Sequence, residues 1–277
     1  MNFKLTHIPK RPEKPREKGL TMVMDKGLSL RQAEDLISSS KEQIDLLKLG
    51  FGTSFVTNNL AEKIKLYQSA NIEVYPGGTL FEAFIARKKF GDFRKFLDQY
   101  HLEMCEVSDG SIVLDHKEKC DYISKLAKTK TVLSEVGSKE QGILISPGKW
   151  IKMMQNELEA GSWKVIAEGR ESGSVGIFRP NGSPHTILIN KIIAKIDADK
   201  ILWEAPGKKQ QVWFINLFGA NVNLGNIAPN DVIPLECLRL GLRGDTFFNY
   251  LPDNIIEDLQ NPEGDMAKAR KAIKNSN

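Results

Sequence analysis

Four glutamates stand at the ends of four consecutive β-rich segments: Glu106 in EMCEVSDGS (103–111), Glu135 in KTVLSEVG (130–137), Glu168 in KVIAEGRESG (164–173) and Glu204 in KILWEAP (200–206). Side chains alternate between faces along a strand, so Glu135 shares its face with Leu133 and Gly137, Glu168 with Ile166 and Arg170, and Glu204 with Leu202. Glutamates at matched heights on one face converge. Carboxylates a few ångströms apart raise one another's pKa unless a cation offsets them. A divalent ion and the lysines are the cations at hand. Oxygen donors suit a hard ion such as Mg²⁺, whereas zinc favours His or Cys. The four histidines (His7, His101, His116, His185) fall in the N-terminal arm or on helices and read as surface residues. One such Glu would more simply cap a helix or pair with a base. Four in succession point to a metal-ligand set.

Other strand ends add polar groups: Asp25, Lys48 and Asn226, with Lys139 and Arg170 a few residues beyond their strands. The third strand ends in Pro76-Gly77-Gly78-Thr79, which opens a helix carrying Glu82 in its first turn. Exposed amides at a helix start bind anions, which makes Gly77 and Gly78, with Asp25 and Asn226, the candidate substrate-binding residues. Lys48 and Arg170 are candidate holders of phosphate or another anion.

These residues need a scaffold that brings strand ends together. Eight β-rich runs alternate with helical ones: 19–27, 44–52, 72–78, 103–111, 130–137, 164–173, 200–206 and 221–228. Among the helices, 29–40 opens on a Ser N-cap, 57–70 puts Leu60, Ile64 and Tyr67 on one face, and 80–101 reads as two pieces broken near Gly91. Parallel strands need helical crossovers, and eight such units close into a (β/α)8 TIM barrel. An open doubly wound sheet is disfavoured, because no G-x-G-x-x-G follows the first strand. The barrel spans 19–249, behind a basic arm (1–18) and before a C-terminal extension (250–277) that could be a docked helix followed by disorder. Barrel chemistry sits where strands end, which is where the polar residues lie.

Composition agrees with a soluble globular protein: 277 residues, 41% hydrophobic and 27% charged, with no apolar run of membrane-spanning length. The arm holds six Lys/Arg and two Glu within a chain of net charge +4. It reads as a Pro-interrupted solvated tail, and no nucleic-acid-binding signature accompanies it. Three dispersed cysteines (Cys105, Cys120, Cys237) and the lack of an apolar run in MNFKLTHIPKRPEKPREKG suit a cytoplasmic protein. Loops 138–146 and 174–183 could close over a substrate, or their apolar residues (Ile143, Leu144, Ile145, Ile177, Phe178) could pack between subunits. Arg239 and Arg243 read as structural or subunit contacts.

The stretches GLTMVMDKG, LLKLGFGTS, VYPGGTLFE, EVSDGSI, VLSEVGSK, IAEGRESG, WEAPGKKQQVWFI, VNLGNIA and LRLGLRGDT run in order over residues 19–248. In these the chain resembles phosphosulfolactate synthases. The resemblance implies a Mg²⁺-dependent barrel that adds sulfite to phosphoenolpyruvate, giving (2R)-phospho-3-sulfolactate. In methane-producing archaea that step opens coenzyme M biosynthesis. It also implies a homo-oligomer, and it assigns proton donation to Lys139, the second residue after EVG. Members include plant heat-stress-associated and bacterial proteins. Action on another phosphorylated enol or hydroxy acid, or a non-catalytic stress-associated role, therefore stand as alternatives.

Overall fold

The computed structural model describes residues 2–137 and 145–260. Each strand is short and almost wholly buried, as expected where helices cover one face and a barrel interior the other. The strands are β1 (Thr21–Asp25), β2 (Leu46–Leu49), β3 (Glu73–Pro76), β4 (Met104–Val107), β5 (Thr131–Val136), β6 (Lys164–Ala167), β7 (Ile201–Glu204) and β8 (Leu224–Ile227). All pair in parallel, in the order β3-β2-β1-β8-β7-β6-β5-β4. Pairing of the first strand with the last wraps the sheet into a barrel. A seam without a ladder remains between β3 and β4.

The helical layer comprises α1 (Leu30–Ser40), α2 (Thr53–Val56), α3 (Leu60–Ser69), α4 (Gly78–Ala86), α5 (Phe90–Gln99), α6 (His116–Leu126), α7 (Pro147–Glu159), α8 (Thr186–Ile193), α9 (Lys208–Phe218), α10 (Val232–Arg239) and α11 (Asp253–Gln260). Ser29 caps α1 in a capping box with Gln32. In α3, Leu60, Ile64 and Tyr67 are buried together. The break expected near Gly91 falls earlier, at 87–89, where Lys88 turns left-handed (φ 57°), and Gly91 lies inside α5. The extension begins as α11, and residues 261–277 lie outside the described part.

Alternation along the strands sorts the core. Met22, Leu46, Tyr75, Met104, Leu133, Ile166 and Leu202 point inward and fill the barrel. Val23, Leu47, Val74, Cys105, Val132, Val165, Trp203 and Leu224 point outward into the helix layer. Gly225 faces inward between Met22 and Leu202, and a Cβ there would lie 2.8 Å from Met22 Cε. Two positions beyond each inward residue of β2, β4, β5, β6 and β7 stand Lys48, Glu106, Glu135, Glu168 and Glu204.

The basic arm is not a solvated tail. Arg11 pairs with Glu236 at 3.0 Å and donates to the Gly19 carbonyl, Arg16 pairs with Asp45 at 2.8 Å, and Lys14 donates to the Ile44 carbonyl. Asp45 in turn accepts the Thr21 amide. The arm therefore staples the N-terminal ends of the strands, opposite the polar mouth. Arg239, fully buried, donates to the carbonyls of Leu20, Ala220 and Val222 at this same end, which makes it structural. Ile177 and Phe178 also belong to the core, so they serve neither a lid nor a subunit contact. Ile143 and Leu144 lie outside the described residues.

Candidate active site

The inward position above Leu46 belongs to Lys48, whose stem rises through the barrel into the mouth. Its Nζ lies 3.1 Å from Glu106 Oε2, 3.2 Å from Glu204 Oε1 and 3.8 Å from Glu135 Oε2. Burial alone would favour its neutral form. Glu106, Glu204 and Glu135 together outweigh that, and hold its pKa well above the usual lysine value. Tyr75, just below in the barrel interior, is pushed up by its burial and by Glu106, so its phenol stays protonated.

Three carboxylates converge closely: Glu135, Glu168 and Glu204 each offer an oxygen within 4.8 Å of the others, and all three are buried. The loop after β6 orients two of them. Glu204 Oε2 accepts the amides of Gly169 and Arg170, both at 2.9 Å, and Glu168 Oε1 accepts the Arg170 amide at 2.6 Å. Arg170 reaches both because it adopts φ 56°, left-handed for a non-glycine residue. Oxygen-only donors a few ångströms apart fit a hard divalent cation.

Glu106, expected in the same set, stands apart. Its Oε1 accepts the Gly78 amide at 2.8 Å, which bridges the β3–β4 seam, while Oε2 faces Lys48. Its height matches the others, but its place beside the seam turns it towards the start of α4.

Asp25 does not reach the mouth. It shares parity with Val23, so it points into the helix layer. There Oδ1 accepts the amides of Gly27 and Leu28, and Oδ2 meets Tyr67 Oη at 3.0 Å and Lys63 Nζ at 2.9 Å. It shapes the turn after β1 and anchors α3; the expectation of substrate binding was wrong in direction. Lys48 borders the cavity with its Nζ among the carboxylates of Glu106, Glu204 and Glu135. Gly77 sits behind the wall, with the Leu49 carbonyl accepting its amide. Lys139 lies outside the described residues.

The remaining candidates do meet. Lys48, Gly78, Glu106, Glu135, Glu168, Arg170, Glu204 and Asn226 border one cavity of about 240 Å³. Asn226 enters it because its own left-handed backbone (φ 57°) breaks the alternation of β8 after Gly225. A larger groove of about 620 Å³ lies between α6 and α7, lined by lysines and Cys120. Its lining comes from α6, α7 and Ala160 just after α7, and includes none of the strand-end residues.

Several residues of the site are not evident in the sequence pattern. Phe51, at φ 38°, and Thr79 border the cavity, as does Ser111. Ser111 is held by Glu82, which accepts the amides of Gly110 and Ser111 and the hydroxyl of Ser108. Glu82, expected in the first turn of α4, is the fifth residue of that helix, and a Glu near the start of a helix that follows a strand was the available signal for this.

Comparison with known proteins fits this geometry. The sequence profile of (2R)-phospho-3-sulfolactate synthase (ComA) matches residues 9–245. The chain is 40% identical over 251 residues to a phosphosulfolactate synthase of Bacillus subtilis, covering 90% of this chain and 100% of that one. It is 42% identical over 238 residues to that of Methanocaldococcus jannaschii, covering 83% and 94%. Among solved structures, 3-hexulose-6-phosphate synthase from Salmonella typhimurium superposes with a TM-score of 0.53 at 14% identity, covering 81% of this chain and 100% of that one, which speaks for the fold alone. The chain belongs to the (2R)-phospho-3-sulfolactate synthase family.

Proposed function

We propose that the protein joins sulfite to phosphoenolpyruvate, forming (2R)-phospho-3-sulfolactate. The observation that carries this reading is the match to a phosphosulfolactate synthase along that protein's whole length. The cavity supports it: about 240 Å³ is below the roughly 300–1,000 Å³ of sites for larger ligands and suits a three-carbon phosphate with a small anion.

The sulfur lone pair of sulfite attacks C3 of the enol phosphate. The π electrons move to C2 and its carboxylate, and C2 then takes a proton. Glu135, Glu168 and Glu204 are the residues that would hold Mg²⁺, which when bound supplies Lewis-acid stabilisation for negative charge on the substrate carboxylate. Arg170, exposed at the rim, and Thr79 in the first turn of α4 face the anionic groups, while the Gly78 amide is taken by Glu106. The family resemblance assigns proton delivery at C2 to Lys139.

A coupled assay for phosphoenolpyruvate loss tests this. Turnover should require both sulfite and Mg²⁺, and Lys139→Ala should abolish it; turnover without sulfite would overturn the substrate assignment. We also propose a cytoplasmic homo-oligomer, to be checked by light scattering. No helix among the described residues is long and apolar enough to cross a membrane.

A further inference from the structure

We infer that Lys48 is a built-in cation of the glutamate ring, a positioning residue that limits how strongly the ring takes a divalent ion and does not itself hold the substrate's anionic groups. The inference rests on the metal reading above.

Three observations carry it. First, an ammonium has three donors, and Nζ of Lys48 faces three carboxylates, those of Glu106, Glu135 and Glu204, at 3.1–3.8 Å. A phosphate or sulfite reaching for that ammonium would have to enter among them and would meet like charge. Second, two of those three, Glu135 and Glu204, also belong to the set whose oxygens converge within 4.8 Å. Lysine and divalent ion therefore draw on the same carboxylates. Third, the lysine cannot swing away. Its side chain is only 6% exposed, with the barrel interior below it and the carboxylates of Glu106, Glu135 and Glu204 around its head.

The charges define the consequence. Four carboxylates share the mouth, and the Lys48 ammonium stands beside three of them. A divalent ion binding beside it is attracted by the carboxylates and repelled by the ammonium. Lys48 thus holds the ring together without the ion and weakens its grip on the ion.

Titration of the purified full chain with Mn²⁺, followed by calorimetry without substrate, tests this. Lys48→Met should bind Mn²⁺ with a Kd at least tenfold lower than the wild type, and Lys48→Arg should stay near the wild type. A Lys48→Met Kd within tenfold of the wild type, or weaker, would overturn the inference. Should Lys48→Met be too unstable for titration, thermal melts with and without Mn²⁺ replace it. The gain in Tm from Mn²⁺ should exceed that of the wild type; an equal or smaller gain would overturn the inference. A wild-type chain that binds no Mn²⁺ removes the metal reading itself, an outcome read from a separate arm of the experiment.

Discussion

Lys119 Nζ donates to the carbonyl oxygen of Glu135 at 2.6 Å, so a buried lysine of α6 grips the backbone of a candidate metal ligand from behind. The same ammonium pairs with Asp109 and Glu157, each at 2.9 Å, and Glu157 on α7 is fully buried, with its pKa raised by that burial. One side chain thereby ties together the loop after β4, the end of β5 and two helices. Lys119→Met strands a buried carboxylate, and we expect it to destabilise the fold by about 3–5 kcal/mol in urea denaturation. Lys119→Met/Glu157→Leu should recover most of that loss, because it removes both buried charges together. Failure of the double variant to recover would show that the lysine acts through Glu135 and Asp109 alone.

The histidines make a contribution of definite sign to the pH dependence. His116 Nδ1 lies 3.8 Å from Glu157, and burial, reinforced by Lys119, holds its pKa below the usual imidazole value. Burial does the same for His185. An unfolded imidazole, with a pKa of about 6.5, takes up its proton before the folded one does. The unfolded state therefore binds more protons between the folded pKa and about 6.5, and stability rises with pH through that window. The contribution is complete above it and lost as pH falls through the folded value. The urea midpoint should rise between pH 5.5 and 7.5, and should rise less in His116→Gln/His185→Gln.

The ring was legible in the sequence because one rule governs it. Each polar residue of the mouth in β2, β4, β5, β6 and β7 follows an inward apolar residue by two positions, as Lys48 follows Leu46 and Glu204 follows Leu202. Applied to β1, the same rule puts Asp25 with Val23 and outside the barrel, so that misreading was avoidable. What the sequence conceals is distance across the barrel. Which carboxylates Lys48 meets depends on strand stagger, and the turning of Glu106 towards Gly78 depends on the open seam. Buried lysines look like solvated ones in composition. Helical spacing still marks them, since Lys119 shares a buried face with Ile123 and Leu126, and Lys63 with Leu60 and Tyr67. The arm concealed its docking for a different reason: its partners are backbone carbonyls and residues as distant as Glu236, which no local pattern records.

The two ends of the barrel should respond differently to mutation. Arg239 supplies buried carbonyls of Leu20, Ala220 and Val222 with their donors, at the end remote from the mouth. Arg239→Leu takes the donor from the Val222 carbonyl, at about 1–3 kcal/mol where water cannot enter, while Leu20 keeps the Leu224 amide and Ala220 keeps Arg11. We expect a Tm lower by roughly 4–10 degrees, with turnover per folded molecule unchanged below the transition. A selective loss of turnover with an unchanged Tm would contradict a purely structural role.

The start of α4 offers the opposite test, a small change at the mouth. A Cβ on Gly78 would collide with the Ser108 side chain and sit 2.7 Å from Glu106 Oε1. Glu106 must then give up its bond to the Gly78 amide and shift towards Lys48, which disturbs the carboxylates that Lys48 holds. Gly78→Ala should lower kcat more than tenfold while the fold survives, because alanine itself favours a helix. The control is Gly91→Ala in α5, where nothing lies within 4 Å of the added atom. There the same substitution should leave turnover unchanged and add about 0.5–1 kcal/mol of stability. Equal activity in both variants would mean that the packing of Gly78 against Glu106 is irrelevant to catalysis.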